Sequence, residues 1–88
     1  MFNGIVYKTG RVKYLKKENK NFIIGISSNL NFQNNDIGSS ISCNGVCLTL
    51  TKIQNKNVFF YISKETLNRS NLKFLKIGTI INIEKSLI

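Results

Sequence analysis

The sequence predicts an all-β fold, a closed barrel of six antiparallel strands with one short helix before the last strand. β-Branched and aromatic residues recur in short runs bounded by Asn, Gly and Ser, and few windows keep a helical period. With 88 residues the chain is too short for two full sheets, and closing one sheet removes its exposed edges. Proline is absent and no low-complexity linker divides the sequence, so residues 1–88 are expected to form a single domain.

Alternation and turn signals place the strands. Glycine inside a strand pattern commonly marks a kink, so the first strand is expected to bend or bulge at Gly10. Residues 29–40 are rich in turn formers and predict an irregular segment. Asn44 and Gly45 lie between apolar flanks and predict a type I′ hairpin turn, in which both central residues need positive φ. A second hairpin turn is predicted at 54–57. The predicted strands are residues 4–17, 21–28, 40–43, 46–53, 58–63 and 79–85.

A short helix of one or two turns is predicted between the fifth and sixth strands. Ser63 is a good N-cap residue, Glu65 follows at the second helical position, and Thr66 stands in the first turn. Three leucines would pack this segment onto one end of the barrel: Leu67, Leu72 and Leu75.

The charge of the chain leaves two interpretations open. Thirteen Lys and Arg against four Asp and Glu give a net charge of +9. Such a balance indicates either a solvated cationic surface produced by a general Lys, Asn and Ile bias, or a site for a polyanion. The first residues do not resemble a signal peptide and no apolar run approaches the length of a membrane span, so a cytoplasmic location is expected.

The residue inventory excludes several kinds of chemistry. There is no histidine, so neither a Ser-His-Asp nor a Cys-His arrangement can form within the chain. Cys43 and Cys47 cannot supply the four ligands that zinc prefers. Glycine-rich phosphate loops are absent as well. The four carboxylates fall in different predicted elements and form no pair by spacing: Glu18, Asp36, Glu65 and Glu84.

Strand alternation predicts one polar outer patch. If Leu48 and Leu50 point into the barrel, the side chains of Cys47, Thr49 and Thr51 point outward. On the next strand Val58, Phe60 and Ile62 have the inward parity, which leaves Phe59, Tyr61 and Ser63 outward. The patch suits a flat polar heterocycle, although threonine and tyrosine are also common outward strand residues without any ligand. Its members are Cys47, Thr49, Tyr61 and Ser63, next to the helix start at Glu65 and Thr66.

Three separated segments resemble one family. They are MFNGIV at the N-terminus, IGSSISCNGVCLTLT in the middle and SKETLNRSNLKFLKIGTIINIE toward the end. Together they resemble the N-terminal lumazine-binding repeat of riboflavin synthase, whose pattern includes MFTGIV, NGVCLTV and ETLRRTNL. The resemblance covers nearly the whole chain.

This resemblance implies a Greek-key barrel that binds 6,7-dimethyl-8-ribityllumazine or riboflavin. The family enzyme carries two repeats and assembles as a trimer. It transfers a four-carbon unit between two lumazines, giving riboflavin and a pyrimidinedione without a metal or an organic cofactor. Its site lies between the N-terminal barrel of one subunit and the C-terminal barrel of another. A lone half is therefore expected to be inactive or nearly so and to form a homodimer, with neither nucleic acid nor membrane as partner.

The resemblance also implies a set of ligand-binding residues. Cys47 is in addition a candidate catalytic nucleophile, or fills space beside the ring. The family usually has threonine at Asn3, aspartate at Ser39, and often aspartate at Tyr61, so the polarity of the site differs here. The implied ligand-binding residues are Gly4, Ile5, Val6, Cys47, Leu48, Thr49, Tyr61, Ile62, Ser63, Lys64, Glu65 and Thr66. Lys64 stands where the family often has proline or alanine.

Two other functions are alternatives. One is a lumazine or flavin carrier protein without enzymatic activity. The other is a basic oligonucleotide-binding barrel, which shares the small size and closed β architecture but needs Lys and Arg interleaved with outward aromatic residues on one face.

Overall fold

A computed structural model describes the backbone of residues 5–86 and the side chains of residues 8–85. Within that range six strands close into an antiparallel barrel in the order β1, β2, β5, β4, β3, β6, which confirms the predicted fold class. The elements are β1 (Ile5–Glu18), β2 (Asn21–Ser28), β3 (Ser40–Cys43), β4 (Val46–Gln54), β5 (Asn57–Ile62), α1 (Lys64–Arg69) and β6 (Ile80–Ser86). Two 3₁₀ turns cover Asn34–Asp36 and Asn71–Phe74.

The connections follow a Greek key. Strands β3, β4 and β5 are joined by short turns, and β6 returns through α1 to lie beside β3. β1 closes the barrel because its first half pairs with β6 and its second half with β2. None of the helices in the described part of the chain has the length and apolar character that crossing a membrane requires.

The turn between β3 and β4 has the predicted geometry. Asn44 and Gly45 both have positive φ, 51° and 83°, as a type I′ turn requires. Asn44 also ties the hairpin tip to β6, because its amide N donates to the carbonyl O of Asn82 at 2.8 Å and its side-chain O accepts from the amide N of Asn82 at 2.7 Å. These two bonds continue the register of the β3–β6 pair, in which Cys43 lies opposite Ile83.

The sequence predicted a bend or bulge at Gly10, and a bulge there is wrong. The β1–β6 register runs through Gly10 without a shift, and the irregularity lies between Val12 and Tyr14. Gly10 is buried where β1 passes from β6 to β2, and a Cβ there would lie 2.5 Å from Cγ2 of Ile26 and 2.9 Å from Cδ1 of Ile83. Glycine is needed at this position for close packing, and the bulge falls at Lys13.

The inward rows of all six strands form one core, and the alternation had predicted those of β4 and β5. Leu72 and Leu75 are buried in this core and Leu67 packs against it half-buried, so the predicted packing of these leucines onto the barrel is confirmed. Cys43 lies inside, and burial raises the pKa of its thiol to about 12, so it acts as a small neutral core residue. The remaining buried hydrophobic residues are Val12, Ile24, Ile26, Leu30, Ile41, Leu48, Leu50, Val58, Phe60, Ile62, Ile81 and Ile83.

One largely covered ion pair holds the irregular segment against β6. Lys85 Nζ lies 2.8 Å from Asp36 Oδ2 and also donates to the carbonyl O of Asn31 at 2.8 Å. The same carboxylate accepts from the amide N of Gln33 at 2.8 Å. The bond from Gln33 and the bond from Lys85 hold the pKa of Asp36 below its ordinary value of 3.8.

Replacing Asp36 by Asn is expected to lower the free energy of unfolding by about 1 to 2 kcal/mol near neutral pH. The folded state favours the ionised carboxylate, so its contribution is complete above the ordinary pKa and is lost as the pH falls through the lowered one. Urea unfolding at several pH values measures this. The difference between wild type and variant should shrink below about pH 4.

Glu18→Gln is the matched control, because Glu18 is exposed and its contact with Lys16 is 3.9 Å long. It should change the stability by less than about 0.5 kcal/mol. A difference between wild type and Asp36→Asn that stays constant down to strongly acidic pH would contradict the assigned role of the charge.

Candidate functional site

The centre of the candidate site is a cross-strand pair. Thr49 on β4 and Tyr61 on β5 are Cα partners, and both side chains are exposed. Leu48, Leu50 and the flanking residues of β5 are buried behind them. The predicted division of these two strands into an inward apolar row and an outward polar row is therefore confirmed, and a hydroxyl faces a phenol ring across about 5 Å of sheet.

Strand β3 extends this surface with two more hydroxyls. Ser40 is the partner of Thr49, and Ser42 is the partner of the exposed Cys47. The sequence prediction missed both serines, although the signal was available. A two-residue turn at 44–45 fixes the pairing of the flanking strands, and counting back from it places Ser42 opposite Cys47.

The start of α1 borders the surface. The Ser63 hydroxyl accepts from the amide N of Thr66 at 3.1 Å and donates to Oγ1 of Thr66 at 3.0 Å, so it is the N-cap that the sequence predicted. Lys64 is exposed, and Glu65 forms an exposed contact of 3.8 Å with Arg69. Because the Ser63 hydroxyl is occupied by the cap, it positions the helix and is less free to bind a ligand than the hydroxyls of Thr49 and Tyr61.

The other residues implied by the resemblance are placed differently. Leu48 and Ile62 point into the core, so any contact they make with a ligand is restricted to their main chain. Ile5 and Val6 lie on β1 opposite Ser86 and Lys85, and their side chains are outside the described part of the chain. Gly4 lies outside the described residues altogether, as does Asn3. The binding roles of these residues stay predictions.

The outward row continues beyond β5 across strands that the sequence did not place next to each other. Ile23 on β2 is the partner of Tyr61, and Lys16 on β1 is the partner of Ile23. A second outward row is centred on Phe59, two residues before Tyr61 in β5. Its cross-strand partners are Lys52 on β4 and Gly25 on β2. These neighbours depend on the β2–β5 pairing, which joins segments separated by about 35 residues and has no local signal.

Fold and surface together define a class: a small Greek-key barrel that presents hydroxyls, one thiol and a phenol ring on one outer face beside a capped helix. Residues 3–86 match the sequence model of the lumazine binding domain, and the chain belongs to that family. The resemblance drawn from the three sequence motifs is thereby confirmed.

Similar proteins include riboflavin synthases. The chain is 43% identical over 90 residues to that of Buchnera aphidicola and 35% identical over 89 residues to that of Escherichia coli, with 99% and 98% of this chain covered. It spans about two fifths of the relatives' length, 42% and 41%. A solved structure of LumP complexed with flavin mononucleotide is similar with a TM-score of 0.69 and 25% identity, covering 86% of this chain and 43% of that one. The oligonucleotide-binding alternative is not favoured by these matches.

Proposed function

We propose that this chain binds 6,7-dimethyl-8-ribityllumazine or riboflavin on the outer face of β4 and β5, next to the start of α1. The observation that carries the proposal is the exposed Thr49–Tyr61 pair with Cys47 beside it, in a member of the lumazine binding domain family. The names of the relatives support it, since they are riboflavin synthases and a protein complexed with flavin mononucleotide.

The chemistry of this face suits a flat bicyclic ring with a polar edge. Tyr61 offers a ring face for stacking and a hydroxyl that donates or accepts, while Thr49 and Ser42 add hydroxyls that also do both. The thiol of Cys47 lies on the same face beside Ser42. In this proposal Cys47 either fills space against the ring or acts as the nucleophile.

The catalytic part of the proposal belongs to a two-repeat protein. One lumazine gives a four-carbon unit to the other, which leaves riboflavin and a ribitylamino-pyrimidinedione, and no metal or organic cofactor takes part. The methyl group that loses its proton is acidic in the ligand itself, so the protein contributes mainly by holding two rings in reactive orientation. A single barrel face holds one ring, so the isolated repeat is proposed to bind ligand with little or no turnover.

Self-association is part of the same proposal. A second copy of this barrel would supply the missing face, and a symmetric dimer uses the same patch on both copies. A cytoplasmic location fits as well, because Cys43 and Cys47 are both free thiols and thiols persist in a reducing compartment.

Riboflavin titration tests the binding site directly. The purified protein is expected to quench riboflavin fluorescence at micromolar concentration, and Tyr61→Ala is expected to weaken binding about tenfold because stacking and hydroxyl contacts are lost. Tyr61 is exposed, so the variant should fold as the wild type does.

Ile80→Ala is the matched control for Tyr61→Ala. Ile80 is also a large exposed strand residue, but it lies on β6, on the opposite side of the six-stranded ring from β5. Its replacement should leave riboflavin affinity unchanged. Unchanged riboflavin emission on titration with protein shown to be folded, or equal effects of both variants, would overturn the proposed site.

A further inference from the structure

A second surface feature lies next to the patch of Cys47, Thr49, Tyr61 and Ser63 and includes none of these four residues, although Ile23 and Phe59 continue the same outward rows. It is an open cleft of about 480 Å³ on the outer face of β1, β2, β5 and β4. Tyr14, Ile23 and Phe59 contribute its apolar surface (the floor), and the charged residues Lys52 and Glu18 also line it. Along β5, Phe59 lies on the opposite side of Tyr61 from Ser63, so the cleft extends away from α1.

Two bulges build this cleft. The β1–β2 register shifts between Val12 and Tyr14, and the β4–β5 register shifts between Leu50 and Lys52. Val12 and Leu50 point into the core, so without the extra residue Tyr14 and Lys52 would have inward parity too. Each bulge turns one of these side chains outward, and both reach the same row of the sheet. Bulges commonly re-aim side chains next to functional sites.

Gly25 gives the floor its shape. Gly25 is the partner of both Tyr14 and Phe59, and the two rings meet over it edge to face with centroids 5.7 Å apart. A Cβ at this position would lie 2.8 Å from Cε2 of Phe59 and 2.9 Å from Cβ of Tyr14. The glycine therefore lets two aromatic side chains from different strands form one continuous apolar surface.

The charged groups around the floor determine which ligand charge the cleft favours. The ammonium of Lys52 lies over the Phe59 ring, 5.1 Å from the ring centre. Glu18 also lines the cleft, and the ammonium of Lys16 lies 3.9 Å from its carboxylate, so two cations and one carboxylate surround the floor. The chain as a whole carries +9. The field over this aromatic surface is thus positive at Lys52.

We propose that this cleft binds a planar aromatic anion, with its ring on Tyr14, Ile23 and Phe59 and its acidic group at Lys52. This inference is independent of the proposed lumazine site, since it rests on other residues.

Titration of ¹⁵N-labelled protein with indole-3-acetate, followed by amide chemical shifts, tests this cleft. The shifts should be concentrated at Gly25, Lys52 and Phe59. The neutral analogue 3-methylindole should bind more weakly than indole-3-acetate. The cationic analogue tryptamine should bind most weakly, at least about fivefold more weakly than indole-3-acetate.

Two variants separate the charge from the ring. Lys52→Gln should weaken indole-3-acetate about fivefold and leave 3-methylindole unchanged, whereas Lys56→Gln, an exposed lysine in the β4–β5 turn outside the cleft, should change neither. Phe59→Leu keeps an apolar side chain but removes the ring, and should weaken all three probes. Equal affinities for the three probes, shifts located mainly on other faces, or no effect of Lys52→Gln would overturn the inference.

Riboflavin added in the same spectra keeps the two sites distinguishable. If riboflavin fails to bind while indole-3-acetate still does, the proposed function is overturned and the cleft stands. If riboflavin shifts Thr49 and Tyr61 and leaves bound indole-3-acetate in place, the separate cleft is supported. Displacement of indole-3-acetate by riboflavin would overturn the cleft as a separate site.

Discussion

Phe60→Ala is expected to lower the free energy of unfolding by roughly 3 to 5 kcal/mol. Among the residues whose side chains the structure describes, Phe60 is the largest that is fully buried. Its partners Leu50 and Ile24 on the two neighbouring strands are fully buried as well. A closed barrel cannot collapse easily around a missing ring, because every strand is hydrogen-bonded on both sides. A domain of this size has a total stability of about 5 to 10 kcal/mol, so the loss is a large fraction of it.

Urea unfolding followed by circular dichroism measures this loss as a lower midpoint with an unchanged slope. Phe74→Ala is the control, because the Phe74 side chain is 69% exposed and its contact with Lys73 is on the surface. It should change stability by less than about 0.5 kcal/mol. A loss below about 1 kcal/mol for Phe60→Ala would mean that the barrel interior repacks around the cavity.

The strands and the helix were predictable because their signals are local. Leu48 and Leu50 alternate with polar residues along their strand, and positive φ at Asn44 and Gly45 is a preference of these residue types themselves. The hydroxyl of Ser63 accepts a hydrogen bond from the amide N of Thr66, only three residues away. Such features depend on neighbours in the chain, so the sequence contains them in full.

The bulges were not predictable, because alternation is interrupted where they occur. Around Lys13 the sequence offers Val12, Tyr14 and Leu15 as apolar candidates for the inward row. Val12 and Tyr14 share one parity and Leu15 has the other, so the three cannot all point inward in a regular strand. Only the pairing of Tyr14 with Gly25 decides that Tyr14 points outward. That pairing is a property of the closed barrel and not of the segment.

The candidate site also contains residues that the sequence placed correctly and residues whose orientation only the structure shows. Parity placed Cys47, Thr49 and Tyr61 on one outer face, and the structure brings Thr49 and Tyr61 into direct opposition. Motif resemblance added Leu48 and Ile62, whose side chains are inside, because a motif marks a segment and does not state which atoms of it face a ligand. Geometry was needed to separate the two kinds of residue.

For Gly10→Ala, local and tertiary arguments predict opposite changes in the free energy of unfolding. In an ordinary strand interior, alanine in place of glycine stabilises by roughly 0.5 to 1 kcal/mol because the unfolded chain loses freedom. Here the new methyl group would lie 3.0 Å from the carbonyl O of Ser27, besides its close contacts with the side chains of Ile26 and Ile83. We therefore expect a loss of about 1 to 3 kcal/mol in the free energy of unfolding, as overpacked cores show.

Urea unfolding of Gly10→Ala beside Thr9→Ala separates the two arguments, because Thr9 is exposed and adjacent in β1. Thr9→Ala should be nearly neutral. The sign for Gly10→Ala is decisive: a gain in stability would show that β1 moves away from β2 and β6 at little cost. A loss would show that the barrel closes at Gly10 because no side chain stands between the three strands there.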